Sequence, residues 1–174
     1  MFDTRRPLCY QRIGMSLDKL AQAWELLQEA YQAQMDAEYE QAVELYRRSI
    51  AIHPTAEAHT YLGWTLHFQG KLEEAIEECK KALELDPDFG NPYNDIGAYL
   101  IEIGRYDEAI PWLERAIEAK RYDPRHYPYY NLGRVFVAKE MYTRAREYFE
   151  HALRIEPQYT QAKEALDNLR RRVN

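Results

Sequence analysis

The chain has 174 residues, 46% hydrophobic and 30% charged, with only 7 Gly and 8 Pro, a balance that suits a folded soluble protein and excludes a disordered tract. A formal charge of −6 argues against a general nucleic-acid binder, because neutralising phosphates takes a basic face. The length allows one substantial core or a short repeat array, and no stretch is apolar for long enough to cross a bilayer.

Residues 1–15 read as an N-terminal tail. The opening MFDTRRPLCYQRIG carries Arg5 and Arg6 but no apolar run behind them, so it lacks the form of a secretory signal. Phe2, Leu8, Tyr10 and Ile13 give it apolar surface enough to fold across a hydrophobic groove, the alternative being disorder. Cys9 and Cys79 are too few for a disulfide framework, and Cys79 falls on an apolar helix face where a thiol behaves as a small hydrophobe. A reducing compartment, the cytoplasm, is the expectation.

From residue 16 to 159 the chain repeats itself. Gly63, Gly70, Ala75 and Ala82 recur 34 residues later as Gly97, Gly104, Ala109 and Ala116, and 36 residues on as Gly133, Glu140, Ala145 and Ala152. Backwards the step is 33, so that Ala30 precedes Gly63, Ala42 precedes Ala75 and Pro54 precedes Pro87. Four units follow, at about 23–55, 56–89, 90–125 and 126–159. Apolar residues within each unit are spaced by three and four, so the elements are helices. In the second unit Leu62, Leu66 and Phe68 serve one helix and Leu72, Ala75, Ile76, Cys79, Ala82 and Leu83 the next. Gly70 between them suits the left-handed residue that ends a helix and reverses the chain. Pro87 stops the second helix, and Pro92 and Pro128 fall in the first turn of later helices, where a missing donor costs nothing. The recurring Gly and Ala lie at helix crossings, where small side chains let backbones approach closely.

Four departures stand out. The first unit has Glu29-Ala30 where later units have Leu-Gly or Ile-Gly, and Pro111 is expected to kink the second helix of the third unit. Two extra residues around Lys120–His126 are expected to bulge and alter the pitch, and Glu140 replaces the hairpin Gly in the fourth unit. Residues 160–174 repeat only the first-helix pattern, through Ala162, Ala165, Leu166 and Leu169, and form a C-terminal capping helix. Arg170, Arg171 and Arg172 at its end meet the negative pole of the helix dipole.

The segment LGWTLHFQGKLEEAIEECKKALELDP, matched by IGAYLIEIGRYDEAIPWLERAIEAKRYDP and LGRVFVAKEMYTRAREYFEHALRIEP, resembles tetratricopeptide repeats from about Leu17 to the C-terminus. The resemblance implies an all-α fold, a right-handed α-solenoid of about four hairpins plus the capping helix. It also implies a concave surface lined by the first helix of each pair. That stripe holds Trp24, Leu27, Tyr31 and Met35, then Thr60, Tyr61, Trp64, His67 and Phe68. The third unit adds Asn91, Asn94, Asp95, Ala98 and Ile101, and the fourth Tyr127, Tyr130, Asn131, Arg134 and Val137.

One branch of the family grips a partner's terminal carboxylate with Lys, Asn and Arg. The corresponding places here hold Leu27, Tyr31, Thr60, Trp64, Ala98 and Tyr130, with only Arg134 and Asn94 of suitable chemistry, so a carboxylate clamp is not expected. The expected partner is another protein, offering an apolar or amphipathic peptide to Trp64, Phe68, Tyr61 and Tyr130, with Asn94 and Asn131 bonding its backbone. Self-assembly through exposed repeat faces is the alternative. Catalysis and cofactors are not expected. The five histidines have no metal spacing, the glycines follow the repeat period and form no phosphate loop, and Glu73, Glu74, Glu77 and Glu78 read as a solvated face beside Lys80 and Lys81.

Overall fold

The computed structural model describes residues 8–173, with side chains from 17 to 171. Nine helices make up this part: α1 (Leu8–Met35), α2 (Tyr39–Ile52), α3 (Ala56–Phe68), α4 (Leu72–Leu85), α5 (Gly90–Glu102), α6 (Tyr106–Glu118), α7 (His126–Ala138), α8 (Tyr142–Ile155) and α9 (Thr160–Val173). Phe2 lies outside the described residues, as do the side chains of Leu8, Tyr10 and Ile13, so the expected crossing of the groove falls outside them too; from Leu8 onward the backbone belongs to α1.

Consecutive helices pair as hairpins, α1 with α2, α3 with α4, α5 with α6 and α7 with α8, and each hairpin then packs on the next. The sequence signals explain the pairing. Gly97 faces Leu113 so closely that an added Cβ would lie 2.4 Å from its Cδ2, and Gly133 faces Phe149 at 2.3 Å. Only a residue without a side chain lets these helices cross at such range. Ala30 stands at the same point in α1 and is fully buried. In α9 the register brings Asp167, which is exposed, and among the described residues no second helix packs there, so an acidic residue stands where α3, α5 and α7 have glycine.

All four hairpin turns have one form. Gly70 and Gly104 hold φ of 74° and 79°, and Ala37 and Glu140 hold 61° and 59°. Each turn is closed by the same pair of backbone bonds, for instance Gly70 N–H to His67 C=O (2.8 Å) with Lys71 N–H to Leu66 C=O (2.9 Å). The fourth repeats it as Glu140 to Val137 (3.0 Å) and Met141 to Phe136 (2.9 Å). Glu140 therefore does not loosen its turn; it accepts left-handed strain instead.

Helix α6 runs through Pro111, whose exposed position puts the forfeited hydrogen bond on the solvent side. One other expectation changes. The linker at Lys120–His126 does not bulge freely. Arg121 forms a parallel bridge with Phe89, its N–H donating to Asp88 C=O (2.9 Å) and its C=O accepting from Gly90 N–H (3.0 Å). Tyr122 is buried beside Gly90, and Arg125 donates to the carbonyls of Ile117 and Ala119, which end α6. The guanidinium of Arg121 lies over the Phe89 ring and pairs with Glu57 (2.7 Å) and Asp86 (2.5 Å). The two extra residues become a strap across the second and third hairpins.

Candidate functional site: the inner face of the first helices

First helices α1, α3, α5 and α7 touch one another in succession, whereas second helices do not meet to the same extent. A stack crowded along one row and spread along the other must curve, with the crowded row inside. Applying the repeat offsets of 33, 34 and 36 to α1 gives the rows of this inner face. Three rows keep solvent access: Trp24, Glu57, Asn91 and Tyr127; Tyr31, Trp64, Ala98 and Arg134; Met35, Phe68, Glu102 and Ala138. Two further rows point toward the neighbouring helix, the first opening and the second closing along the stack.

The first of these holds Leu27, Thr60, Asn94 and Tyr130. Leu27 is only 6% exposed and Thr60 is fully buried, with its hydroxyl donated to Ala56 C=O, while Asn94 and Tyr130 are half-buried. Leu27 is therefore core and not a groove residue, because α1 and α3 meet over it. The second row holds Gln28, Tyr61, Asp95 and Asn131. Asn131 is buried: its amide donates to Asn94 Oδ1 (3.0 Å) and its own oxygen accepts from Arg134 Nη1 (3.0 Å). It ties α5 to α7 and is not free for a peptide backbone. Ile101, also on the expected stripe, is buried.

The remaining candidates form two aromatic ends and a polar middle. At one end Tyr31 packs on Tyr61 (ring centroids 5.8 Å) and Tyr61 on Trp64 (5.2 Å). Trp24 and Phe68 stand 62% and 55% exposed, with Phe68 stacked on Tyr39 at 5.3 Å. At the other end Tyr127 and Tyr130 both meet the edge of Tyr159, at 5.6 and 5.2 Å. Tyr159 was absent from the sequence reading; its signal is an aromatic two residues past a closing Pro157, the place Phe89 holds after Pro87.

In the middle, the Trp64 indole N–H donates to Asp95 Oδ2 at 2.5 Å. Burial raises the Asp95 carboxyl to about 7, against the lowering effect of hydrogen bonds from Trp64 and Asn94. Nearby His67 pairs with Glu102 (3.0 Å) and stacks on Tyr99, and His59 pairs with Glu78 at 2.6 Å. Burial would raise Glu78, but the hydrogen bonds from His59 and Lys81 outweigh it and hold the carboxyl below its ordinary value. Gln34, which sequence reading also missed, is buried and accepts from Tyr46 Oη (2.9 Å) and Thr65 Oγ1 (3.0 Å), joining α1, α2 and α3 beneath the aromatic end. Among the described residues no cluster of three His, Cys, Asp or Glu side chains is placed to hold a metal ion. The chemistry on this face is that of contact, with rigid aromatic surface and a few polar groups.

Models of the tetratricopeptide repeat match residues 23–57, 56–89 and 88–158, and none of the three describes an enzyme. The type IV pilus assembly protein PilF of Pseudomonas aeruginosa is 34% identical over 117 residues, covering 67% of this chain and 46% of PilF. The small glutamine-rich tetratricopeptide repeat-containing protein 2 of Mycosarcoma maydis is 30% identical over 102 residues, covering 58% of this chain and 29% of that protein. The chain thus spans less than half the length of these curated relatives. Among solved structures, Pseudomonas aeruginosa pilF superposes with a TM-score of 0.80 at 27% identity, over 87% of this chain and 69% of that one. MamA follows with 0.70 at 25%, over 80% and 81%. The chain belongs to the tetratricopeptide repeat family, an α-solenoid family whose members generally mediate protein–protein interactions.

Proposed function

We propose that the chain is an adaptor that holds an apolar or amphipathic peptide segment of another protein along the inner face of its first helices. The observation that carries this reading is the connected run Tyr31–Tyr61–Trp64, flanked by the exposed Trp24, Met35 and Phe68. Three large apolar side chains standing 55–63% in water on neighbouring helices are costly to leave uncovered and give wide contact at low entropy cost when covered. Tyr127, Tyr130 and Arg134 supply the far end, and half-buried Ala98 leaves room between them for a ligand side chain. The similarity to PilF, an assembly protein by name, agrees with a binding role.

The test is selection from a displayed peptide library on the wild-type chain, with recovered peptides measured against Phe68→Glu and Tyr31→Glu. Both positions are exposed, so the variants keep the fold. Apolar peptides that lose affinity at least tenfold on either variant support the reading. Failure to recover any peptide, or equal binding by the variants, removes this face as the contact surface.

A further inference from the structure

Charge is divided unevenly along the array. Residues 23–89 carry fourteen carboxylates against five Lys and Arg, whereas residues 126–174 carry six against nine. One end of the stack is therefore acidic and the other basic, and each end has an apolar feature, of which Trp24 alone also borders the groove.

At the acidic end, Leu17, Leu20 and Trp24 form one stripe on α1, spaced by three and four residues, and are 60%, 41% and 62% exposed. A second exposed stripe, Asp18, Gln22, Glu25 and Glu29, runs beside it. At the basic end, α8 and α9 enclose a crevice of about 560 Å³. Leu166 and Leu169 form its floor with Met141 and Tyr142, and its rim carries Arg144, Arg146 and Arg170 beside Glu140 and Glu150, with Arg146 3.9 Å from Glu150 and Arg170 paired to Asp167 (3.1 Å). A smaller crevice of about 420 Å³ lies in the same register inside the array, where Ile76 and Leu100 occupy the places of Arg146 and Arg170. That inner crevice has a third wall, Trp112 and Glu108 of α6 with Arg105 at its N-cap; beside α9 no such wall exists among the described residues. Asp167 stands where α3, α5 and α7 have glycine, and arginines outnumber carboxylates in the crevice lining, which suits a helix with acidic flanks.

We infer that these two ends are made for each other: the α1 stripe of one copy seats in the α8–α9 crevice of the next, giving head-to-tail association of this chain. The contact is heterologous, so it extends into chains and does not close as a dimer. Leu17 and Leu20 cover the apolar floor, and Asp18 and Glu25 meet the rim arginines. Because the charges are exposed, salt weakens the contact.

Sedimentation velocity across a concentration series tests this with wild type and three variants of the full chain. Wild type is expected to form larger species as concentration rises, and to lose them when salt is added. Leu17→Asp with Leu20→Asp, and separately Arg146→Glu with Arg170→Glu, should each remain monomeric. An equimolar mixture of those two variants should give dimers and nothing larger, since each retains one of the two faces. Wild type that stays monomeric throughout, association that survives in either variant, or a mixture that fails to dimerise overturns the inference. Phe68→Glu separates it from peptide binding: it should assemble as wild type does, and loss of assembly there would move the contact to the groove and equally overturn the proposal.

Discussion

Trp64 on α3 reaches across a repeat boundary to donate its indole N–H to the carboxylate of Asp95 on α5, 2.5 Å away. The pair joins two hairpins at the middle of the inner face, and among the described residues no Lys or Arg side chain contributes to the shift of the Asp95 carboxyl.

The folded protein therefore holds a proton on Asp95 over a range where the unfolded chain has released it. The carboxyl is raised from its ordinary 3.8 to about 7 by burial, so stability falls as pH climbs through that window and levels off above it. Replacement by asparagine keeps the acceptor for Trp64 and removes the charge. Asp95→Asn should exceed wild type in stability at pH 8, by about 1–3 kcal/mol once partial hydration is allowed for, and lose that advantage near pH 4. Urea denaturation at the two pH values measures it; an advantage independent of pH would contradict the assignment.

The turns allow a paired comparison. Glu140 and Ala37 occupy left-handed backbone that Gly70 and Gly104 adopt without strain. Glu140→Gly and Ala37→Gly should each stabilise the protein by roughly 1 kcal/mol, while Gly70→Ala should destabilise it by a similar amount although nothing lies within 4 Å of the added Cβ. Thermal melts of the three variants read the signs directly.

At the helix crossings the penalty is steric. An alanine at Gly97 would place Cβ 2.4 Å from Leu113 Cδ2, forcing apart a hairpin packed at its closest point. Gly97→Ala should cost about 1–3 kcal/mol, and Gly97→Leu more. The double variant Gly97→Ala with Leu113→Ala should lose less stability than the sum of the two single changes, a coupling that a merely conformational effect of glycine would not produce.

The repeat positions were legible in the sequence because helix crossings and chain reversals demand particular residues, and Gly63, Gly97, Gly133 and Pro87 carry those demands openly. The inner-face rows were less so. Leu27 and Trp24 share a helix stripe, yet one is core and the other open, since the spacing of residues along α1 says nothing of how near α3 will lie. Asn131 likewise reads as a free amide until its partners Asn94 and Arg134 are in place. The strap is hidden for a related reason: two inserted residues count as loop in a sequence, and only the pocket beside Gly90 reveals that Tyr122 has somewhere to go.

That strap has a consequence for how the molecule comes apart. In a linear stack each unit is held by its neighbours alone, and melting travels inward from the tips. Arg121, lodged between Glu57, Asp86 and Phe89, spans 64 positions and rivets the middle of the stack into a single block. Amide exchange should then reveal α3 to α6 opening together and last, with α1 and α9 fraying long before them.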